Sequence, residues 1–140
     1  MTKPKDKAKE WLQEPFDEET QQQTQELIDA DNEELAEAFH TDLAFGTGGM
    51  RGIMGVGTNR INRYTLGKNT QGVSNYLHKQ FPNKDEISVA IAYDCRRNSQ
   101  SLANVVGEIF SANDIRVKFF PHLRPTPLLS YAVKYFNCQC

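Results

Sequence analysis

Residues 87–120 read ISVAIAYDCRRNSQSLANVVGEIFSANDIRVKFF, and this stretch decides the fold. Its first part, Ile87 to Ala92, is a short and almost wholly apolar run, as expected of a strand covered on both faces. Ser99 then caps a helix in which Leu102, Val105, Val106, Ile109 and Phe110 fall on one face at helical spacing. Asn113 is placed to end that helix in a left-handed conformation, and Ile115 to Phe120 reads as the next strand. The intervening stretch is too long for a hairpin and suits a crossover, so the two strands are expected to be parallel neighbours. Thr126 with Pro127 opens another helix, with Leu129, Ala132, Val133 and Phe136 on a shared face. The expectation is an α/β fold: a three-layer α/β/α domain with a mostly parallel mixed sheet.

Upstream, the spacing of Leu66, Thr70, Val73 and Leu77 marks a helix that runs from Asn62 and ends before Pro82. Before it, Gly46-Thr47-Gly48-Gly49-Met50-Arg51-Gly52 is expected to break regular structure, and Ile53 to Gly57 can form only a short or bulged strand. The segment from Lys7 to about Phe39 is rich in Glu, Gln, Asp and Ala, which favours helix over strand. Asp31 followed by Glu34 resembles a capping box for a second short helix with a narrow apolar stripe, so its docking is expected to be shallow. Trp11 and Phe16 are the expected anchors of this arm. The domain reading is therefore a helical arm over 1–41 and an α/β domain over 42–140. Asn137-Cys138-Gln139-Cys140 falls where another strand is due, so the last strand or strands of the domain are expected to be truncated, and the Ile87 or Ile115 strand to expose an edge open to self-association.

Composition narrows the functional classes. With 16 Lys plus Arg against 18 Asp plus Glu, the net charge of -2 gives no global attraction to nucleic acid or an anionic membrane. Any basic site must be local. No apolar run suits a signal peptide or a spanning helix, which places the chain in the cytoplasm. The three cysteines, Cys95, Cys138 and Cys140, lack the second pair that a zinc site needs and read as free thiols.

In an open parallel sheet, ligands bind beyond the carboxyl ends of the strands. Two loops share that edge here, Tyr93 to Ser99 and Pro121 to Thr126, and each leads into a helix. They place Arg96, Arg97, His122 and Arg124 near two positive helix ends, which suits an anion. Plainer readings stand beside this one: Arg96 or Arg97 paired with Asp94, Asp94 capping its own turn, and a structural His122.

The glycine-rich loop is more specific. Four glycines in seven residues allow backbone N–H groups to turn toward an anion, while Thr47 adds a hydroxyl and Arg51 a planar fork of donors matched to phosphate. The loop lacks the Gly-Lys-Ser/Thr ending of a Walker loop and the flanking pattern of a dinucleotide fingerprint. A simple glycine-rich linker is the alternative.

From Leu43 to Cys140 the chain resembles the α-D-phosphohexomutase superfamily, the phosphoglucomutases and phosphomannomutases. The resemblance rests on Phe45 to Gly52, on Ile91-Ala92-Tyr93-Asp94-Cys95-Arg96 after a strand, and on Pro125-Thr126-Pro127 before an apolar helix. The helical arm and Gly48, where many relatives carry Ser, are most similar to the phosphoglucomutase and phosphopentomutase branch. The resemblance implies an isomerase that works by intramolecular phosphoryl transfer on a hexose or pentose phosphate, through a phosphoserine and a bisphosphorylated sugar. It also implies Mg²⁺ and a sugar bisphosphate activator for the full-length enzyme. By motif position it implies Thr47, Gly48, Gly49 and Arg51 as phosphate-binding residues, with Asp94 and Arg96 in support. The family's Thr-Ala-Ser-His-Asn-Pro-like nucleophile segment has no match here, nor do the Mg²⁺ loop, the sugar loop and the carboxyl-terminal phosphate-binding domain. The chain is thus expected to hold neither the catalytic serine nor a metal site, to be inactive alone, and to act with the remaining domains of its own polypeptide. A non-catalytic module that binds phosphate or a phosphometabolite is the alternative function.

Overall fold

The computed structural model describes residues 3–46 and 49–140. The chain forms two compact units, Met1–Thr65 and Leu66–Cys140, divided within one helix.

The first unit is built on three helices, α1 (Pro4–Glu10), α2 (Glu18–Ala30) and α3 (Glu33–Phe39). Each has a local reason to start where it does. Pro4 opens α1 at a position that has no use for an N–H, Asp17 caps α2 by accepting from the Thr20 N–H, and Asn32 caps α3 by accepting from Glu34 and Leu35. The cap of α3 is therefore Asn32; Asp31 is the left-handed residue that ends α2. Docking of α3 is deep where shallow docking was expected. Leu35, Ala38 and Phe39 are all buried, Phe39 completely, because residues 56 and 64 supply the other half of a core with Ala8, Trp11 and Ile28. Trp11 stacks on Phe16 at 4.4 Å and meets Phe39 and Tyr64 edge-on, so both expected anchors do pack.

The glycine stretch is more regular than expected. β1 (Phe45–Gly46) and β2 (Gly49–Met50) pair antiparallel, Phe45 opposite Met50 and Gly46 opposite Gly49. Gly49 has φ +89°, a conformation that L side chains rarely adopt. Residues 53–57 form no strand; they contribute one isolated bridge, Met54 with Ile61.

The second unit carries the sheet. The helix α4 (Arg63–Gln80) leads to β3 (Ser88–Ile91), α5 (Ser99–Ala112), β4 (Arg116–Phe119) and α6 (Thr126–Tyr135). β3 and β4 are parallel neighbours, Ser88 opposite Arg116 through Ile91 opposite Phe119, as a β-α-β crossover requires. Val89, Ile91, Phe110, Ile115 and Leu77 form its core. Asn98 rather than Ser99 precedes the first turn of α5, and the left-handed residue after that helix is Asp114, with Asn113 at φ -101°. Phe136 follows the last turn of α6 and is exposed, so it does not share the buried face of Ala132.

Gln139 and Cys140 run beside β3 in the parallel sense. The Gln139 N–H donates to Ser88 O (2.8 Å), and the Ala90 N–H donates to Cys140 O (2.9 Å). Ser88 and Ala90 thus turn away from β4, and β3 is flanked on both sides. Among the described residues, β4 pairs with β3 alone, so the open edge belongs to the Ile115 strand and not to the Ile87 strand.

Candidate functional site

At the carboxyl end of β3, Tyr93 is buried and ties the two strand-end loops together. Its hydroxyl donates to Pro121 O (2.9 Å), and its carbonyl accepts from the Arg124 N–H (3.2 Å). Sequence reasoning gave Tyr93 no role. An aromatic residue at the end of an apolar run was its only signal, and the hydrogen bond spans 28 positions.

Asp94 is the hub of the first loop. One carboxylate oxygen accepts from the Arg96 backbone N–H (3.1 Å) and the other from Arg96 Nε (2.7 Å), while the Asp94 N–H donates to Ser99 Oγ (3.3 Å). The Arg96 backbone bond, more than any other influence, holds the Asp94 carboxyl below its usual range; desolvation, the next largest, opposes it, and the Ser99 hydroxyl and the Arg96 guanidinium add smaller lowering effects. The two plainer readings of these residues are therefore what the geometry contains. Asp94 caps its own turn, and Arg96 pairs with it at the surface.

Tyr93, Asp94, Arg96, Ser99, Arg124 and Thr126 line a common cavity of about 150 Å³. Arg97 and His122 are exposed and do not line it. The amino ends of α5 and α6 border this space, and neither the residue before α5, Asn98, nor that before α6, Pro125, makes a side-chain capping bond. Arg124 donates from Nη1 to Leu123 O (2.8 Å) and lies 5.9 Å from the centre of the Phe120 ring. With Asp94 and Arg96 balancing one another, Arg124 and the two helix ends leave the cavity with a positive bias.

The glycine hairpin belongs to the other unit. Thr47 and Gly48, both expected to bind phosphate, lie outside the described residues. Gly49 is in β2 and Arg51 follows it. Arg51 is exposed, and among the described residues it has no hydrogen-bond or ion-pair partner. Its cationic fork is available to an anion at the end of a strand that starts in a left-handed glycine. Arg60 is the opposite case: buried, it donates from Nε to Glu37 Oε2 (2.7 Å) and pairs with Glu34 at 3.6 Å. Sequence reasoning did not single it out, because nothing in local spacing links positions 37 and 60.

No group of three or more His, Cys, Asp or Glu among the described residues could hold a metal ion. Cys95, Cys138 and Cys140 are free thiols. No helix among the described residues is long and apolar enough to cross a membrane.

Residues 42–140 match the family described as phosphoglucomutase/phosphomannomutase, alpha/beta/alpha domain I. Among curated proteins, a phosphoglucomutase of Staphylococcus haemolyticus is 39% identical over 101 residues, covering 72% of this chain and 18% of that protein. A probable phosphoribomutase of Schizosaccharomyces pombe is 34% identical over 126 residues, 89% of this chain and 22% of the relative. A phosphopentomutase of Mus musculus is 33% identical over 134 residues, 91% and 21%. The chain thus spans about a fifth of the length of these relatives. No solved structure matches it.

Proposed function

Because the chain belongs to the phosphoglucomutase/phosphomannomutase family, we propose that it serves as the first domain of a phosphosugar mutase that moves a phosphoryl group between positions of a hexose or pentose phosphate. The observation that carries this reading onto the site is Arg51, an exposed cation at the end of the glycine hairpin that has no partner among the described residues and lies within the matched residues. Arg51 and Gly49, with Thr47 and Gly48 beside them in sequence, serve as the phosphate-binding residues. Phosphoryl transfer has little covalent work for the protein to do, so positioned cations and N–H donors that neutralise charge on the moving group are the main requirement. Asp94 and Arg96 hold the shape of the strand-end loop in support.

The nucleophilic serine is not in this sequence. The chemistry runs through a phosphoserine and a bisphosphorylated sugar supplied by other parts of a full-length enzyme, with a sugar bisphosphate as activator. Mg²⁺ bound to that enzyme would supply further charge neutralisation. The chain works with the remaining domains of its own polypeptide in the cytoplasm, and its 140 residues alone are inactive.

The test compares the full-length protein carrying this sequence with the 140-residue chain, using glucose 1-phosphate and ribose 1-phosphate as substrates. Turnover is expected in the first and none in the second. Turnover by the short chain, or none by the full-length protein with any phosphosugar, overturns the reading. Replacing Arg51 with Ala in the full-length protein is expected to lower kcat/KM by about 100-fold or more, since removing one donor to developing charge costs of that order.

A further inference from the structure

The glycine hairpin cannot hold its own position. It has two residues in each strand, and Phe45 at its base is 63% exposed, so it has neither the length nor the apolar face that makes a hairpin stable alone. Both of its legs are tied to one segment, residues 58–61. Before β1, the Leu43 N–H donates to Thr58 O (2.8 Å). After β2, the Ile61 N–H donates to Ile53 O (2.8 Å) and the Gly55 N–H to Ile61 O (3.2 Å). Gly52, next to Arg51, lies so close that a Cβ there would stand 2.9 Å from Leu43 Cδ1 and 3.6 Å from Asn59 O.

That segment is fixed in turn to the last turn of α3. The Asn59 N–H donates to Ala38 O (2.9 Å), Asn59 Nδ2 donates to Glu37 O (3.0 Å) and Oε1 (3.3 Å), and Arg60 Nε donates to Glu37 Oε2 (2.7 Å). The Arg60 side chain is 9% exposed, so this guanidinium is held largely out of water and depends on its carboxylate partners, Glu37 in direct hydrogen bond and Glu34 farther off at 3.6 Å.

We propose that Glu37, Asn59 and Arg60 are positioning residues for Arg51: through them the helical arm sets where the glycine hairpin presents its cation to a phosphate group. The proposal rests on the phosphate-facing reading of the hairpin. It gives the arm a function in the site beyond packing, because α3 holds the segment from which both legs of the hairpin hang.

The experiment is a nuclear magnetic resonance titration of the 140-residue chain with inorganic phosphate, following the amides of Gly49, Met50, Arg51 and Gly52. Glu37→Gln keeps the shape of the side chain and removes the charge that Arg60 needs. It is expected to shift those amides in the absence of phosphate and to weaken phosphate binding about tenfold, the effect of one misaligned charge-assisted hydrogen bond. Asn32→Ala, which removes the α3 cap without touching the Glu37 contacts, is the stability control and is expected to leave both readouts as in the wild type. If Glu37→Gln does not fold, Asn59→Ala removes only the Nδ2 bonds, with the same amides expected to shift and a weaker loss of binding. Unchanged amides and unchanged phosphate affinity in a folded variant overturn the proposal, as do equal effects of Asn32→Ala and Glu37→Gln. Should the wild type bind no phosphate at the hairpin, the phosphate-facing reading fails. The tie between α3 and the hairpin is then judged on the amide shifts alone, present for support and absent for refutation.

Discussion

Replacing Gly57 with Ala is expected to destabilise the first unit severely. Gly57 has φ +125°, a conformation costing a residue with a Cβ about 1–3 kcal/mol. The added methyl would stand 2.5 Å from Ala38 O, 2.9 Å from Ala38 Cβ and 3.0 Å from Ala38 C, well inside ordinary carbon contact. Nothing there can swing aside, because the opposing atoms are helix backbone and a fully buried alanine. Relief requires the 57–59 segment to lift from α3, which strains packing by about 1–3 kcal/mol and loosens the Asn59 N–H bond to Ala38 O, worth about 1 kcal/mol. The expected loss is about 4 kcal/mol, a large share of the 5–15 kcal/mol typical of a domain. Trp11 reports on this unit specifically, since it is the one tryptophan of the chain and lies 6% exposed in the core that contains Ala38. Urea unfolding followed by its fluorescence should show the midpoint lowered by about 2 M for a slope near 2 kcal/mol/M. A midpoint within about 0.5 M of the wild type would refute the steric reasoning.

Three further outcomes follow from the same coordinates. Gly72→Ala is the converse case: the added methyl would meet nothing within 4 Å beyond its own stretch of helix backbone and the position is an exposed helix interior, so thermal unfolding should show a gain of about 0.5–1 kcal/mol, and any loss counts against the assignment. Tyr64→Phe keeps the ring packing but removes the hydroxyl that donates to Asp17 Oδ2 (2.6 Å) and accepts from the Asp17 N–H (2.8 Å). That hydroxyl is the largest influence holding the Asp17 carboxyl below its usual value of 3.8, followed by the Thr20 N–H, so the stabilisation is present above pH 3.8 and is lost as pH falls through the lowered value. The variant should therefore be about 1 kcal/mol less stable at pH 7, discounted for solvent exposure, with the gap narrowing at pH 3; a gap that widens in acid refutes the linkage. The outer edge of β4 is expected to support self-association at high concentration, and light scattering showing a monomer throughout contradicts this.

Features set by a few consecutive residues are legible in the sequence. The apolar runs at 87–92 and 115–120 with a helical period between them imply a parallel pair, and β3 and β4 are one. The Asp94 cap and its pairing with Arg96 also follow from neighbours in sequence, since the bonds span two positions. Cap assignments were less secure: Asp31 and Asn32 both qualify by type, and only backbone conformation separates them, Asp31 left-handed at φ 43° and Asn32 extended at φ -109°. The same ambiguity moved the left-handed position after α5 from Asn113 to Asp114.

In the arm the structure departs from the sequence expectation for a different reason, and that reason bears on function. From composition it has a narrow apolar stripe, which by itself argues for weak docking. What buries Phe39 is supplied from elsewhere in the chain: Trp11 against its ring at 5.6 Å, with Val56 and Tyr64 completing the cluster. The polar side of the same helix was equally invisible, because Glu37 meets Asn59 and Arg60 across 22 and 23 positions. A glutamate in an acidic helix and an arginine in a loop carry no mutual signal in one sequence. Brought together, they form a charge pair in which Arg60 is buried and Glu37 keeps 42% of its side chain exposed, and such a pair is weak evidence for stability alone. A pair that fixes one arrangement among several has a clearer use, and here the arrangement is that of the segment from which the Arg51 hairpin hangs.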